Sequence, residues 1–590
     1  MVDTLTGIPA PVSAKLAKNE AIKTASNFLR EPLATELRQD TSHFSEPAVQ
    51  ILKFHGTYQQ DNRDARQERR QAGLERDYSM MLRTRVPGGH VPAPLYLTLD
   101  QLSETYGNGT LRTTTRQTFQ IHGILKQNLK TVIGSIIQQM GSTLATCGDV
   151  NRNIMAPAAP YQQRPDYRYA QEYAHKLADV LAPHTRAYYE LWVDDQPIEI
   201  PEDPEVSQAK QFVGQGVQVV GSPEPLYGNQ YLPRKFKAAI TVAGDNSVDI
   251  YSQDIGLVVL TTPTGKLKGF NILVGGGLGR THGKEETFPL LAQPLGFATP
   301  AEIYEVVQAI VAVQRDHGNR QDRRQARMKY LVHQWGIRKF RRAVEQYYGS
   351  KLKRFRVMPE FVAKPELGWR EQGDGQLFLG LSIENGRIQD TPNCQLKTAL
   401  REIAQHFALP LRLTPTQDIL LTDINPAHRE KINQILVDRG VLPVERIPPL
   451  VQVSMACPAL PTCGLAITES ERALPDVLRR LHGLLGELDL AHEPLVVRMT
   501  GCPNGCARPY LAELGLVGVT PEHYQIWLGG SPRGERLASV FLEKLHVDQI
   551  TTMLRPILFC FQQERYAQES LGDYCHRVGL ERLRPLITLE

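Results

Sequence analysis

Four cysteines in the last quarter of the chain carry the strongest chemical signal: Cys457 and Cys463 in SMACPALPTCGLA, and Cys502 and Cys506 in RMTGCPNGCARP. Their spacings, Cys-x5-Cys and Cys-x3-Cys, are wider than the Cys-x2-Cys knuckles that clasp structural zinc. Thiolates are soft ligands, and four of them held this far apart suit an iron–sulfur cube better than one small ion. Structural zinc and four buried packing thiols are the alternatives. Pro458, Pro461 and Pro503, with Gly464, Gly501 and Gly505, predict restricted turns that can aim the sulfurs at one centre.

Cations form the second chemical group. Arg83, Arg85, Arg112 and Arg116 are joined by Arg152 in NRN and by Arg234, Lys235 and Lys237 in YLPRKFK. In an extended segment, period two aims Lys235 and Lys237 the same way. Like charges a few ångströms apart repel by roughly 4 kcal/mol at an effective dielectric near 20, so such a collection predicts a polyanion in its midst. Arginine forks suit carboxylates, whereas lysine is a mobile point charge and proton donor. The alternative is that one alternating strand puts Arg112, Thr114, Arg116, Thr118 and Gln120 on a solvated face.

The Gly-rich turn from Val274 to Arg280 follows a strand pattern and predicts backbone amides open to an anion. It is a poor dinucleotide fingerprint, without a clear acidic partner or βαβ setting. In QDNRDARQERR (60–70) and HGNRQDRRQARMKY (317–330), acids interleave with bases. That pattern predicts solvated helix faces or ion-pair networks for part of each stretch.

The elements that must position these groups come from a repeat. LRTTTRQTFQIHGI (111–124) lies over LRLTPTQDILLTDI (411–424), and each copy then enters a helix. In the first, Leu129, Val132, Ile133, Ile136, Ile137 and Met140 draw one apolar stripe that Gly141 closes. In the second, Asn425 caps and Pro426 suits the first turn. Upstream of each lies a strand (80–89 and 378–387) and a helix. A weaker repeat links FNILVGGGLGR (270–280) with YQIWLGGSPRGER (524–536), and GIRKFRRAV (336–344) with GLERLRPLI (579–587). The predicted order is A, B, A′, B′, an α+β fold whose halves pair across a pseudo-twofold, with 356–375 as a Pro-containing linker. Arg83, Arg116, Gln120 and His122 in A face Gly380, Thr416, Leu420 and Thr422 in A′. One half is therefore expected to bind the anion and the other to support it.

Length bounds the rest. A chain of 590 residues suffices for three or four domains. No apolar run is long enough to span a bilayer, and the N-terminus lacks a signal core or an Arg-rich organelle address, so cytoplasm is expected. Eight cysteines make no disulfide framework, which agrees with a reducing compartment. Cys147, Cys394, Cys560 and Cys575 are expected to be packing residues. The net charge of +4 does not call for nucleic acid.

Taken together, FHGTYQQDNRDAR, RTTTRQTFQIHGILKQNLK, GDVNRNIMAPAAP, YLPRKFK, LVGGGLGRTHG, GNRQDRRQARMKY, SMACPALPTC and TGCPNGCARPYLAELGLVG resemble the sulfite reductase hemoprotein family. The likeness is to the plant-type, ferredoxin-dependent form or the related bacterial β-subunit. It implies the duplicated sulfite/nitrite reductase fold: an arm (1–75), ferredoxin-like half-domain A (76–155), siroheme domain B (156–355), half-domain A′ (356–445) and 4Fe-4S/siroheme domain B′ (446–590). It also implies siroheme, a macrocycle with eight carboxylates, joined to a 4Fe-4S cluster through one shared thiolate. Carried over by motif, Cys457, Cys463, Cys502 and Cys506 would be cluster ligands, Cys506 the shared one. Arg83, Arg152, Lys235 and Lys237 would form the substrate-anion pocket. Arg112, Arg116, Gln120, His122, Arg234, Gly276, Gly277 and Arg320 would contact siroheme. Sulfite is the implied substrate, since relatives that prefer nitrite carry Asn where Lys237 stands. With no flavin domain visible, reduced ferredoxin is the implied donor, and a separate NADPH-dependent flavoprotein the alternative.

Overall fold

The computed structural model describes residues 16–194 and 202–587; the first residues of the expected N-terminal arm lie outside that range. In half-domain A the elements run β1 (Thr57–Asp61), β2 (Tyr78–Arg83), β3 (His90–Val91), α1 (Ala93–Thr105), β4 (Leu111–Thr113), β5 (Phe119–Ile124) and α2 (Leu129–Gln138). Domain B follows with α3 (Pro165–Val180), β6 (Ala238–Val242), β7 (Ile255–Thr261), β8 (Leu267–Val274), β9 (Gln293–Ala298), α4 (Ile303–His317) and α5 (Met328–Tyr348). The second half repeats the plan. Its half-domain has β10 (Gly368–Glu371), β11 (Leu377–Leu381), β12 (Arg387–Ile388), α6 (Leu396–Phe407), β13 (Leu411–Leu413), β14 (Ile419–Ile424) and α7 (Arg429–Asp438). Domain B′ has β15 (Met455–Ala456), α8 (Leu474–Glu487), β16 (Val497–Thr500), β17 (Leu514–Thr520), β18 (His523–Leu528), β19 (Ser539–His546) and α9 (Ile550–Glu564).

The two half-domains exchange edges. Sheet A runs β1-β2-β5-β4-β12 and sheet A′ runs β10-β11-β14-β13-β3, so each half finishes the other's sheet with a two-residue strand. The pairings Arg387 with Arg112 and His90 with Arg412 are pseudo-twofold counterparts. The close approach needs glycine. A Cβ on Gly89 (φ +78°) would lie 2.4 Å from the Leu413 carbonyl, and one on Gly386 (φ +76°) 2.3 Å from that of Thr113. Gln117 and Gln417 both sit in the left-handed region, and Gln117 Nε2 donates to Leu413 O at 2.7 Å.

The sheets of B (β6-β7-β8-β9) and B′ (β15-β16-β17-β18-β19) start parallel and finish antiparallel. Thus β8 and β18, the strands of the weaker repeat, hold matching places. One continuous apolar core underlies A, B and A′, through Ile121, Ile133, Ile310 and Leu400 among others. B′ packs its own around Leu481, Met499 and Ile557. No helix among the described residues is long and apolar enough to cross a membrane.

Three expectations change. The arm and the linker are not mere connections, because β1 and β10 edge the two half-domain sheets. The stripe of α2 stops at Ile137: Met140 is 64% exposed, and it, not Gly141, takes the left-handed position after the helix (φ 57°). Segment 112–120 is not one alternating strand either. It breaks into β4, a turn at Gln117 and β5, and Arg112 and Gln120 are buried rather than solvated.

Strand exchange makes Gly386 a point of strain. Gly386→Ala should cost about 1–3 kcal/mol from the left-handed backbone and carbonyl clash, read as a lowered thermal unfolding midpoint. An unchanged midpoint would mean that the crossing relaxes around a methyl group.

Candidate functional site

The turns carrying the cysteines are fixed by their surroundings. Cys457 directly follows the edge strand β15, and the Gly501 amide donates to its sulfur at 3.4 Å. After β16, Asn504 Nδ2 reaches the Cys502 sulfur at 3.4 Å and Tyr510 Oη donates to Pro503 O at 2.7 Å. Gly505 is left-handed (φ +63°), with the Tyr510 ring 2.7 Å from where a Cβ would stand. Cys457 and Cys502 are buried, Cys463 half-buried and Cys506 exposed. Burial and the neighbouring Cys506 push the Cys502 thiol up to about 11; the same two causes raise Cys457 and Cys463. No three His, Cys, Asp or Glu side chains among the described residues gather tightly enough for a single metal ion.

Cys506 opens onto a cleft lined by Thr115, Arg116, Lys235, Lys237, Arg327 and Arg508, among others. Lys235 and Lys237 flank the buried Phe236, whose bridge to Asn151 keeps the segment extended, as period two requires. Burial, with Arg234, Arg152 and Arg327 alongside, pulls the Lys235 ammonium down to about 7. Burial with Arg116 and Lys235 holds Lys237 well below its ordinary value. The Arg116 guanidinium falls to about 9 through burial beside Arg152 and Arg508. Arg83 and Arg152 lie in the next bay with Tyr58 and Cys147: Arg83 Nη1 contacts the Cys147 sulfur at 3.5 Å, and both arginines act on the Tyr58 hydroxyl. Cys147 is therefore not a bland packing thiol. Arg83 Nε, Arg116 Nε, Gln120 Oε1 and His122 Nε2 are buried without a hydrogen-bond partner.

Other expected residues serve the scaffold. Arg112 binds Glu471 and the Ala456 carbonyl, beside Cys457. Arg85 pairs with Asp179 at 2.8 Å. Arg320 is engaged by Glu20 and by the carbonyls of Tyr231 and Arg315, so it does not line the cleft. A Cβ on Gly276 would meet the Tyr251 carbonyl at 2.2 Å, and one on Gly277 the Arg327 guanidinium at 3.0 Å; both glycines answer to protein packing. The amides of Gly275, Gly276, Gly277 and Arg280 donate to main-chain carbonyls, which narrows the expected amide cradle to Leu278 and Gly279, the two residues of the turn that line the cleft.

Several residues at the site were missed. Arg327 pairs with the buried Asp254, and Lys329 donates to the carbonyls of Gly277 and Gly279 at 3.1 and 2.9 Å, holding the Gly-rich turn in place. Both belong to a stretch expected to be solvated or ion-paired, and alternation from Arg327 to Lys329 was the available signal. Arg508 donates at 2.9 Å to Thr115 O and at 2.8 Å to Pro415 O, equivalent positions of the repeat, so it sits near the pseudo-twofold.

Comparison with known proteins adds identity to this geometry. The nitrite and sulphite reductase 4Fe-4S domain matches residues 172–352 and 451–590. The nitrite/sulfite reductase ferredoxin-like half domain matches 74–138 and 370–439. The chain is 56% identical to a sulfite reductase (ferredoxin) from Synechococcus elongatus, over 98% of this chain and 92% of that one. It is 42% identical to an NADPH sulfite reductase hemoprotein beta-component from Chromohalobacter salexigens, over 96% of each. The solved Mycobacterium tuberculosis NirA structure superposes with a TM-score of 0.73 at 23% identity, covering 96% of this chain and 98% of that one, a likeness of fold.

Asp249 anchors the wall next to Cys506, accepting from Arg498 and Arg508. Burial opposes its charge, but the two guanidiniums win and hold its carboxyl below the usual range. A depressed carboxylate stabilises the fold above its unfolded value near 3.9 and loses that contribution as pH falls through the folded value. Asp249→Asn should cost about 3–5 kcal/mol, as expected when one partner of a buried pair is removed. It should also flatten the acid side of the unfolding-midpoint profile below about pH 4. A variant with the wild-type midpoint and wild-type acid slope would show that Asp249 bears no such load.

Proposed function

The chain belongs to the nitrite and sulphite reductase family, and from that premise we propose that it reduces sulfite to sulfide with electrons from reduced ferredoxin. The residues suit a siroheme and a 4Fe-4S cluster on two grounds. Cys457, Cys463 and Cys502, of graded burial, each lie within electrostatic reach of Cys506, and buried donors at Arg83 and Arg116 lack partners, a costly state unless a polyanion satisfies them. Cys457, Cys463, Cys502 and Cys506 would hold the cluster, with Cys506 shared. Arg83, Arg116, Gln120, His122 and Arg234 would face the macrocycle's polar edge, joined by Arg327, while Arg112, held by Glu471, braces the wall behind them. Bound there, the two groups supply electrons singly to the sulfur of sulfite.

The remaining work falls to side chains. Removing three oxygens as water requires repeated proton delivery beside a dianion. Arg83 and Arg152 clamp the oxyanion through fixed donors. Lys235 and Lys237 neutralise it and pass protons as S–O bonds break. The value near 7 for Lys235 belongs to a cleft crowded with positive charge. An arriving dianion raises it, so binding the substrate itself loads the proton that the reaction consumes.

The observation carrying this reading is that Cys506, Arg116, Lys235 and Lys237 share one cleft. Its test is sulfide production by the purified holoprotein supplied with reduced ferredoxin, run beside an NADPH-dependent flavoprotein and with nitrite in place of sulfite. Ferredoxin should sustain turnover and sulfite should be the better substrate. Turnover with the flavoprotein alone overturns the donor assignment, and a preference for nitrite overturns the substrate. Lys235→Ala should lower kcat by about 10² to 10³, as for loss of one preorganised donor, while siroheme absorbance stays. Undiminished turnover would remove Lys235 from proton delivery.

A further inference from the structure

The loop that carries Cys463 is gripped from 400 positions away in the sequence. Arg63, between β1 and β2, sends Nη1 to the carbonyl of Cys463 at 3.2 Å and also to that of Ala466. Its own amide donates to Pro461 O at 3.1 Å. On either side, Asp61 holds Arg66 at 2.7 Å and Asp64 holds Arg472 at 2.8 Å, so residues 61–66 form a strap across the loop. Inside the grip, the Ala466 amide donates to the Cys463 carbonyl at 3.2 Å. The neighbouring Leu465 is 69% exposed, which makes this the solvent-facing side of the cysteine set. Domain B′ therefore does not complete its own cysteine loop. The arm supplies the missing clamp, and with it a permanent positive charge.

We propose that Arg63 is a positioning residue for the cluster: it fixes the turn that aims Cys463 and, as a fixed cation beside that thiolate, raises the cluster's reduction potential. The inference rests on Cys463 being a cluster ligand. Charge near a cluster and donors to its sulfurs are the levers by which a protein sets such a potential. A positive charge favours the reduced, more negative state, and the pre-organised guanidinium holds two carbonyls with less loss of freedom than a flexible lysine.

The test uses the full-length holoenzyme with Arg63→Gln and Arg63→Lys, reading iron and acid-labile sulfide content and the cluster midpoint by a reductive titration followed by electron paramagnetic resonance. Arg63→Gln should shift the midpoint to more negative potential in the molecules that retain iron. Arg63→Lys should keep the midpoint close to wild type while losing iron faster to a chelator. Full iron content with an unmoved midpoint in Arg63→Gln overturns the proposal. If Arg63→Gln retains no cluster, Arg63→Lys decides: faster iron loss supports the clamp, and wild-type retention overturns it. Cys463→Ser separates the two failures: cluster loss there alongside an unmoved Arg63→Gln midpoint sinks the clamp alone, whereas full cluster content sinks the ligand assignment on which the clamp rests.

Discussion

Everything at this site depends on how buried positive charge is held. Asp149, Asp249 and Glu471 each serve two cations: Lys23 and Arg323, Arg498 and Arg508, Arg112 and Arg387. Two cations on one carboxylate leave a surplus of one. Asp254 pairs Arg327 and also takes the Lys237 amide, while Lys235, Lys237 and Arg116 face the cleft. The protein thus builds a cavity with unbalanced positive charge and braces it from behind with carboxylates. Such an arrangement is tolerable because each cation is hydrogen-bonded or awaits an anion; deleting a brace exposes the full desolvation penalty. Preorganisation of this kind makes the donors effective at the moment of reaction, since their ordering has already occurred during folding.

Duplication explains how the bracing is reached. Edge exchange at β3 and β12 locks the half-domains together and brings Arg387, from the second half, against Arg112 in the first. The same symmetry creates an equivalent place in A′ that the chain fills. Where A has Arg83, A′ has Gly380, and the Glu366 carbonyl would stand 1.9 Å from a Cβ there. Where A has Gln120, A′ has Leu420, packed with Ala158 and Phe378. One locus stayed polar and the other became core, so the asymmetry in the sequence reflects a division of labour between two copies of one backbone.

Much of this was legible because it is local or periodic. The repeat at an offset of 300 fixes the matching strands, Cys spacing isolates the four thiols, and period two places Lys235 with Lys237. What could not be read is the long-range pairing of charge. Arg112 and Arg320 look alike in sequence, yet each is assigned by a partner distant in the chain, Glu471 for one and Glu20 with Tyr231 for the other. The Gly-rich turn misled for a related reason. Its glycines permit close approach, but what approaches is the protein itself: backbone carbonyls at Gly276 and Gly279, side chains at Gly275 and Gly277. Cys147 looked like a solitary packing thiol because nothing local announces its arginine neighbour.

The exposure gradient among the thiols has its own consequence. Three sit within the wall of B′, whereas Cys506 is presented at the cleft by a turn that cannot move: Gly505 is wedged against Tyr510, the Cys506 carbonyl accepts from Thr115 Oγ1 at 2.9 Å, and Arg508 ties the same turn to Asp249, Thr115 and Pro415. A thiolate shared between two centres must satisfy both geometries at once, and a mobile turn would favour one at the expense of the other. Anchoring that turn near the pseudo-twofold, to carbonyls from both half-domains, couples its position to the junction between them. The Cys506 turn is thereby held by the residue, Arg508, that ties the two halves of the chain together.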